Sequence, residues 1–99
     1  MNITKKSVYR HLIRPLKNKG YNVLLVGSIS KNGYSKKDID ILLDLSTFSF
    51  SKADKIFVQF EKDLKIMKWD FVNDNETEEY GIFHCYSKKG IGLDIFIGE

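Results

Sequence analysis

Residues 38–45 read DIDILLDL, and this stretch decides the fold because its side chains alternate in character. One face carries three aliphatic residues and the other mostly acids: Ile39, Ile41 and Leu43 against Asp38, Asp40, Leu42 and Asp44. A period of two residues is typical of a β-strand with one buried face. The stretch therefore predicts a sheet that is covered on one side.

The chain before this strand predicts a helix and a second strand. Apolar residues at helical spacing predict a helix over residues 4–18, which Pro15 is expected to kink or end near Arg14. Residues 21–26 form a short apolar run and predict a buried strand, broken by Gly27. The polar residues 29–37 predict a loop with room for one turn of helix.

The chain after it predicts one more helix and three more strands. A serine-rich connection, 46–51, leads to a helix over residues 52–67, a strand over 69–72 and an acidic loop at 74–79. Strands over 82–86 and 91–97 follow, joined by a hairpin signal. The order α-β-β-α-β-β-β predicts a single α/β (α+β) domain over residues 1–99. Its mixed five-stranded sheet is expected to carry two helices on one face.

Composition narrows the class of protein. With 99 residues, 42% of them hydrophobic, the chain is long enough for one packed domain. A single cysteine, Cys85, excludes an internal disulfide framework and a cysteine-based zinc finger. No apolar run is long enough for a membrane span, and no signal-peptide pattern opens the chain. We expect a cytoplasmic protein without a membrane partner.

Charge is unevenly distributed along the chain. Residues 1–37 hold nine of the sixteen bases and none of the thirteen acids. A basic half favours a phosphate-bearing partner such as a nucleotide or a nucleic acid, although lysines on a solvated surface would give the same pattern.

Three aspartates form the candidate chemical site. Asp38 and Asp40 lie two residues apart, so they project from the same face of a strand and can share a divalent ion. Taken alone, the pair also fits the solvent face of an amphipathic strand. Asp94 interrupts an apolar strand, where an unpaired carboxylate is costly and calls for a partner or an ion. If its strand lies beside residues 38–45, the three carboxylates meet in the arrangement used for phosphoryl transfer by two metals, Mg²⁺ or Mn²⁺.

Gly27-Ser28, which follows the strand 21–26, suits phosphate binding. Glycine lets the backbone approach an anion closely, and Ser28 adds a hydroxyl donor. An ordinary loop glycine is the alternative at this position. The neighbouring strand residues His84 and Cys85 face opposite ways and are interpreted as strand filler. Trp69, Phe71, Phe83 and Phe96 are expected in the core.

The order G-S, D-x-D and a later lone D resembles the DNA polymerase β-like nucleotidyltransferase superfamily, and most closely the palm domain of family X DNA polymerases. Three stretches carry the resemblance over nearly the whole chain: "VYRHLIRPLKNKGYNVLLVGS", "KKDIDILLDL" and "YGIFHCYSKKGIGLDIFIGE". The chain departs from the family pattern in having Lys37 before the first aspartate and Gly92-Leu93 before the third. We also expect no DNA-gripping segment before the first helix and no thumb after Asp94.

The resemblance implies a role for each motif residue. Gly27 and Ser28 would hold a nucleoside triphosphate, with Lys31 in the place of a phosphate-binding arginine. Asp38 and Asp40 would bind both metals, and Asp94 the catalytic one. The implied function is transfer of a nucleoside monophosphate to a nucleic-acid 3′ hydroxyl on a DNA primer and template.

Two alternatives stay open at this point. One is a minimal nucleotidyltransferase of the antitoxin type that adenylylates a partner protein. The other is a catalytically idle palm that acts as a binding subunit. For the polymerase-like function, the grip on a template is expected to come from a protein partner, a homodimer or the basic N-terminal half.

Overall fold

A mixed α/β domain is formed by the residues described in the computed structural model, which are 2–46, 50–73 and 81–98. The elements in chain order are β1 (Ile3–Thr4), α1 (Lys5–Val8), a π-helical segment (Tyr9–Ile13), α2 (Arg14–Asn18), β2 (Val23–Val26), α3 (Gly27–Asn32), β3 (Tyr34–Ser35), β4 (Asp38–Asp44), α4 (Phe50–Lys65), β5 (Val72–Asn73), β6 (Ile82–Tyr86) and β7 (Gly92–Gly98). The predicted fold class is confirmed. The acidic loop at 74–79 and residues 47–49 of the serine-rich connection lie outside the described residues.

The five-stranded sheet has the order β2-β4-β7-β6-β5. β4 and β7 run parallel, whereas the other neighbours in this sheet are antiparallel. A separate two-stranded ribbon pairs β1 with β3. The strand that carries Asp94 therefore lies directly beside the strand that carries Asp38 and Asp40.

One face of the sheet is covered and the other is open. Ile39, Ile41 and Leu43 of β4 are fully buried in a single cluster with Leu12 of the first helix and Leu64 of α4. Burying side chains of this size contributes about 1.5–3 kcal/mol each. Since the apolar stripes of both long helices enter this cluster, the acidic face of β4 is left uncovered.

Phe96 was predicted to lie in the core, but it lies on the open face of the sheet. It pairs in register with Leu42 of β4 and Ile82 of β6, both of which alternate onto the open face. Phe71 is buried as predicted, and Trp69 and Phe83 pack partly buried against the core. Alternation within a strand identifies two faces, and the strand's neighbours decide which of them is covered.

Pro15 does not end the first helix, which continues to Asn18. The turn before it widens into the π-helical segment, in which the Arg14 N–H donates to the carbonyl of Tyr9 five residues back. Proline lacks an N–H and its ring crowds the preceding turn, so a wider turn relieves the conflict that would otherwise kink the helix.

Two further elements differ from the prediction. The short helix that was allowed within residues 29–37 is α3, but it begins earlier than expected, directly at Gly27, and Gly33 ends it at φ 84°. The strand predicted over 69–72 starts later, at Val72, because Asp70 adopts a left-handed φ of 54° in the turn that follows α4. None of the helices in the described ranges is long and apolar enough to span a bilayer.

Candidate functional site

Asp40, Asp94 and His84 form a row across three neighbouring strands on the open face. Asp40 of β4 pairs in register with Asp94 of β7, and Asp94 pairs with His84 of β6. The carboxyls of Asp40 and Asp94 share a hydrogen bond. The Nδ1 atom of His84 lies 2.5 Å from Oδ1 of Asp94. The side chains of His84 and Asp94 remain 29% and 35% exposed, so small ligands can reach the row.

The electrostatics of this row differ from those of an ordinary strand surface. Burial contributes most to raising the pKa of Asp40 to about 6, and the charge and hydrogen bond of Asp94 and the charge of Asp38 contribute the rest. Asp40 therefore retains its proton in mildly acidic solution. Above that pH the two carboxylates repel each other, and a cation placed between them would relieve the repulsion.

Gly27 packs directly against the Asp40 carboxyl. A Cβ atom built on Gly27 would lie 2.2 Å from Oδ2 of Asp40, far inside van der Waals contact. The residue also has φ 73°, a left-handed backbone that favours glycine. Because Val26, the residue before it, pairs in register with Asp40, the end of β2 is fixed over the carboxyl. Any side chain at position 27 would displace that carboxyl.

The remaining predicted residues lie at the margin of this row. Asp38 is exposed and pairs in register with Gly92. A Cβ atom added to Gly92 would lie 2.8 Å from Oδ1 of Asp38, so the Asp38 carboxylate fills the space beside this glycine. Ser28 is exposed in α3, directly after Gly27. Lys31 is exposed in the last turn of the same helix, and within the described residues its side chain makes no hydrogen bond or ion pair.

His84 is the residue that sequence reasoning missed. Its interpretation as strand filler overlooks the contact with Asp94, although Cys85 is buried on the opposite face as expected. The predicted turn at 87–90 would place Tyr86 opposite Ile91 and His84 opposite Leu93. The observed loop is one residue shorter, since the Ser87 N–H donates to the carbonyl of Ile91, and this register places His84 opposite Asp94.

The donor set suits a hard cation such as Mg²⁺ or Mn²⁺. Within residues 2–46, 50–73 and 81–98 there is no group of three or more acidic, histidine or cysteine side chains in a metal-holding arrangement. Two carboxylates do meet, however, and Mg²⁺ is commonly held by one or two carboxylates together with the phosphates of a substrate. The pair Asp40 and Asp94 therefore fits an ion that enters with a triphosphate.

A row of apolar side chains borders the carboxylates on the open face. Register pairs join Leu24 to Leu42, Leu42 to Phe96 and Phe96 to Ile82 across four strands. Leu24 is 49% exposed. Charged and apolar ligand groups could thus be bound side by side.

No protein-family model, no curated protein and no solved structure matches this chain.

Proposed function

We propose that the protein is a metal-dependent nucleotidyltransferase, similar to the palm of family X DNA polymerases. It transfers a nucleoside monophosphate from an NTP or dNTP to the 3′ hydroxyl of a nucleic acid. The observation that carries the proposal is the pairing of Asp40 with Asp94 on adjacent parallel strands, with Gly27 packed on Asp40. The motif G-S, D-x-D and lone D thus comes from three separate stretches of chain that meet at one place.

Placing Asp40 beside Asp94 is unfavourable for folding. Burial and the neighbouring carboxyl of Asp94 raise the pKa of Asp40, so ionising Asp40 destabilises the domain, and a purely structural strand surface has no need of such a pair. Mg²⁺ or Mn²⁺ held by Asp40 and Asp94, with Asp38 beside them, would offset the charge of a triphosphate and acidify a nearby hydroxyl.

The transfer step needs few protein groups. The acceptor oxygen forms a bond to the α-phosphorus while the bond from that phosphorus to the bridging oxygen breaks, and pyrophosphate leaves with the electron pair. The Asp94 carboxylate takes the hydroxyl proton, and His84 fixes its orientation. Gly27 and Ser28 offer backbone and hydroxyl donors to the phosphates. Lys31 adds positive charge.

The test compares label transfer from α-labelled triphosphate by the wild type, Asp94→Asn and Asp44→Asn. Asp44 lies on the same face of β4, bonded to Ser46 and Asn22 and outside the carboxyl row, so it is a matched control. We expect Asp94→Asn to lose about 100-fold or more in turnover, the typical value for a group that takes a proton. Magnesium-dependent nucleotide binding should stay close to that of the wild type. Equal turnover by Asp94→Asn and the wild type would refute the mechanism.

The acceptor is identified in the same assay with a DNA primer and template, an RNA and a protein extract in separate reactions. Label on either nucleic acid supports the proposal. Label on a protein alone would replace it with adenylylation of a partner protein. If the wild type binds no nucleotide in the presence of Mg²⁺ or Mn²⁺, the chain is an idle palm.

A further inference from the structure

A cavity lies at the end of the sheet where β4 and β7 begin. Its volume is about 510 Å³, within the range of small-molecule sites. Its lining comes from the start of the chain, the segment before β4, the turn after α4 and the β6–β7 hairpin: Asn2, Ile3, Ser7, Lys36, Lys37, Lys68, Trp69, Lys89, Gly90 and Ile91. Asp38, Asp40 and Asp94 are not among these residues.

The cavity is basic. Four lysines from three separate segments, Lys36, Lys37, Lys68 and Lys89, line it, and within the described residues no acidic side chain does. The nearest acid in the turn after α4, Asp70, already pairs with Lys88, whose Nζ lies 3.6 Å from Oδ2. Like charges brought together in this way favour an anion between them.

Trp69 supplies a second and independent observation. Its indole N–H is buried and finds no hydrogen-bond acceptor among the described residues. Buried donors in folded proteins are nearly always paired, so this unpaired N–H marks a wall of the cavity whose polar groups the described residues do not fully satisfy. The Lys68 Nζ atom lies 5.6 Å from the ring centroid, which places a cation and a donor at the same wall.

The lining also has an apolar part formed by Ile3, Ile91 and the ring of Trp69. A bare anion would leave this surface in water, whereas a nucleotide combines phosphate with a flat ring. A second cavity of about 450 Å³ also contains lysines, but there Tyr21 and Lys19 are already engaged with Asp63. The cavity at Trp69 is therefore the better candidate for a ligand-binding site.

We propose that this cavity binds one phosphorylated nucleotide unit, with its phosphate on the lysines and its base against Trp69. The unit is either a free nucleotide or the phosphorylated end of a strand, since both present the same chemistry. Lys37 directly precedes Asp38 of β4, and Ile91 directly precedes Gly92 of β7. A nucleic-acid end held in this cavity therefore lies next to the first residues of the two β-strands that carry the carboxylates. The proposal does not rest on the proposed transferase activity.

Trp69 is the one tryptophan of the chain, so its indole N–H resonance and its fluorescence report on this cavity directly. Titrations with AMP, a 5′-phosphorylated oligonucleotide, inorganic phosphate and adenosine are carried out in EDTA, which removes any divalent ion. We expect the indole signal to move with AMP or with the oligonucleotide, whichever is the source, and more weakly with phosphate or adenosine. Equal affinity for phosphate or for adenosine would overturn the assignment of a nucleotide, and so would a silent indole.

Charge reversal provides the matched control. Lys68→Glu with Lys89→Glu changes the cavity at Trp69, whereas Lys52→Glu with Lys55→Glu makes the same change of net charge at the other lysine-lined cavity. We expect the dissociation constant to rise by about tenfold or more in the first pair and to stay within about threefold in the second. If both pairs lose the same affinity, binding is general electrostatics and the site is wrong.

Discussion

Gly27→Ala is the most direct test of the close packing between Gly27 and Asp40 at the candidate site. It adds one methyl group at a position where φ is 73° and where a Cβ would lie 2.2 Å from the Asp40 carboxyl. Gly33→Ala is the matched control. Gly33 has a similar φ of 84°, but nothing lies within 4 Å of its added Cβ. The two variants share the backbone penalty and differ in the collision.

The expected magnitudes follow from these contacts. Alanine at a left-handed φ costs about 1–2 kcal/mol, and Gly33→Ala should lose this much. Below about pH 6, where Asp40 keeps its proton, Gly27→Ala must also move Asp40 out of its rotamer, at about 1 kcal/mol, and break its hydrogen bond to Asp94, at about 1 kcal/mol. Gly27→Ala should therefore lose about 2 kcal/mol more than Gly33→Ala, which corresponds to roughly 8–16 °C in the melting temperature of a domain of this size.

The assay is denaturant unfolding of both variants, repeated in an Asp40→Ala background. That substitution removes Oδ2 and Cγ, two of the three Asp40 atoms that the new methyl group would meet. The excess cost of Gly27→Ala should therefore shrink, while the cost of Gly33→Ala stays the same. If Gly27→Ala is no less stable than Gly33→Ala, the close packing of Gly27 on Asp40 is refuted.

Four further outcomes are expected. In the folded protein the pKa of Asp40 is raised to about 6, so ionising it costs stability as pH rises from about 4 to above 6. Asp40→Asn should therefore stabilise the metal-free protein at pH 8, by about 1 kcal/mol after screening by solvent. Millimolar Mg²⁺ or Mn²⁺ should raise the melting temperature of the wild type, more at pH 8 than at pH 5, and Asp94→Asn should blunt that rise. Although burial alone would raise it, the pKa of Asp63 is lowered by hydrogen bonds from Tyr21 and other donors, so its stabilisation is present above pH 4 and lost in stronger acid. Asp63→Asn should flatten that acid limb of the unfolding curve. Burial raises the pKa of Cys85 to about 12, so a thiol reagent should label native protein far more slowly than unfolded protein at pH 8.

Much of the fold could be predicted because the local pattern and the burial agree. Alternation in residues 38–45 fixes which side chains of β4 face the core, and Ile39 and Ile41 are both fully buried. The pairing of Asp40 with Asp94 needed one further assumption, that β4 and β7 are neighbours. Their parallel pairing depends on contacts far apart in sequence, which no local pattern contains.

The elements that differ from the sequence prediction are those in which tertiary contacts override the local conformational preference. Pro15 was expected to kink or end the first helix, but the wider π-helical turn before it accommodates the proline ring. Residues 27–32 have weak helical preference and nevertheless form α3, directly after the pairing of Val26 with Asp40. Strand propensity in residues 69–72 gives way to the left-handed turn at Asp70.

Two carboxylates of this domain show why Asp40 and not Asp63 marks the site. Asp63 is 5% exposed, yet Tyr21, Gln59 and Lys19 all donate to it, so its charge is matched by the protein itself. The carboxyl of Asp40 has no base and no N–H donor among the described residues, and its partner is another acid. A buried charge that the chain satisfies stabilises the fold, whereas one that the chain leaves unmatched requires a proton or a cation from solution. His84 contacts Asp94 but no base contacts Asp40 among the described residues, so a metal ion that enters with a triphosphate, as proposed above, would supply the positive charge beside Asp40.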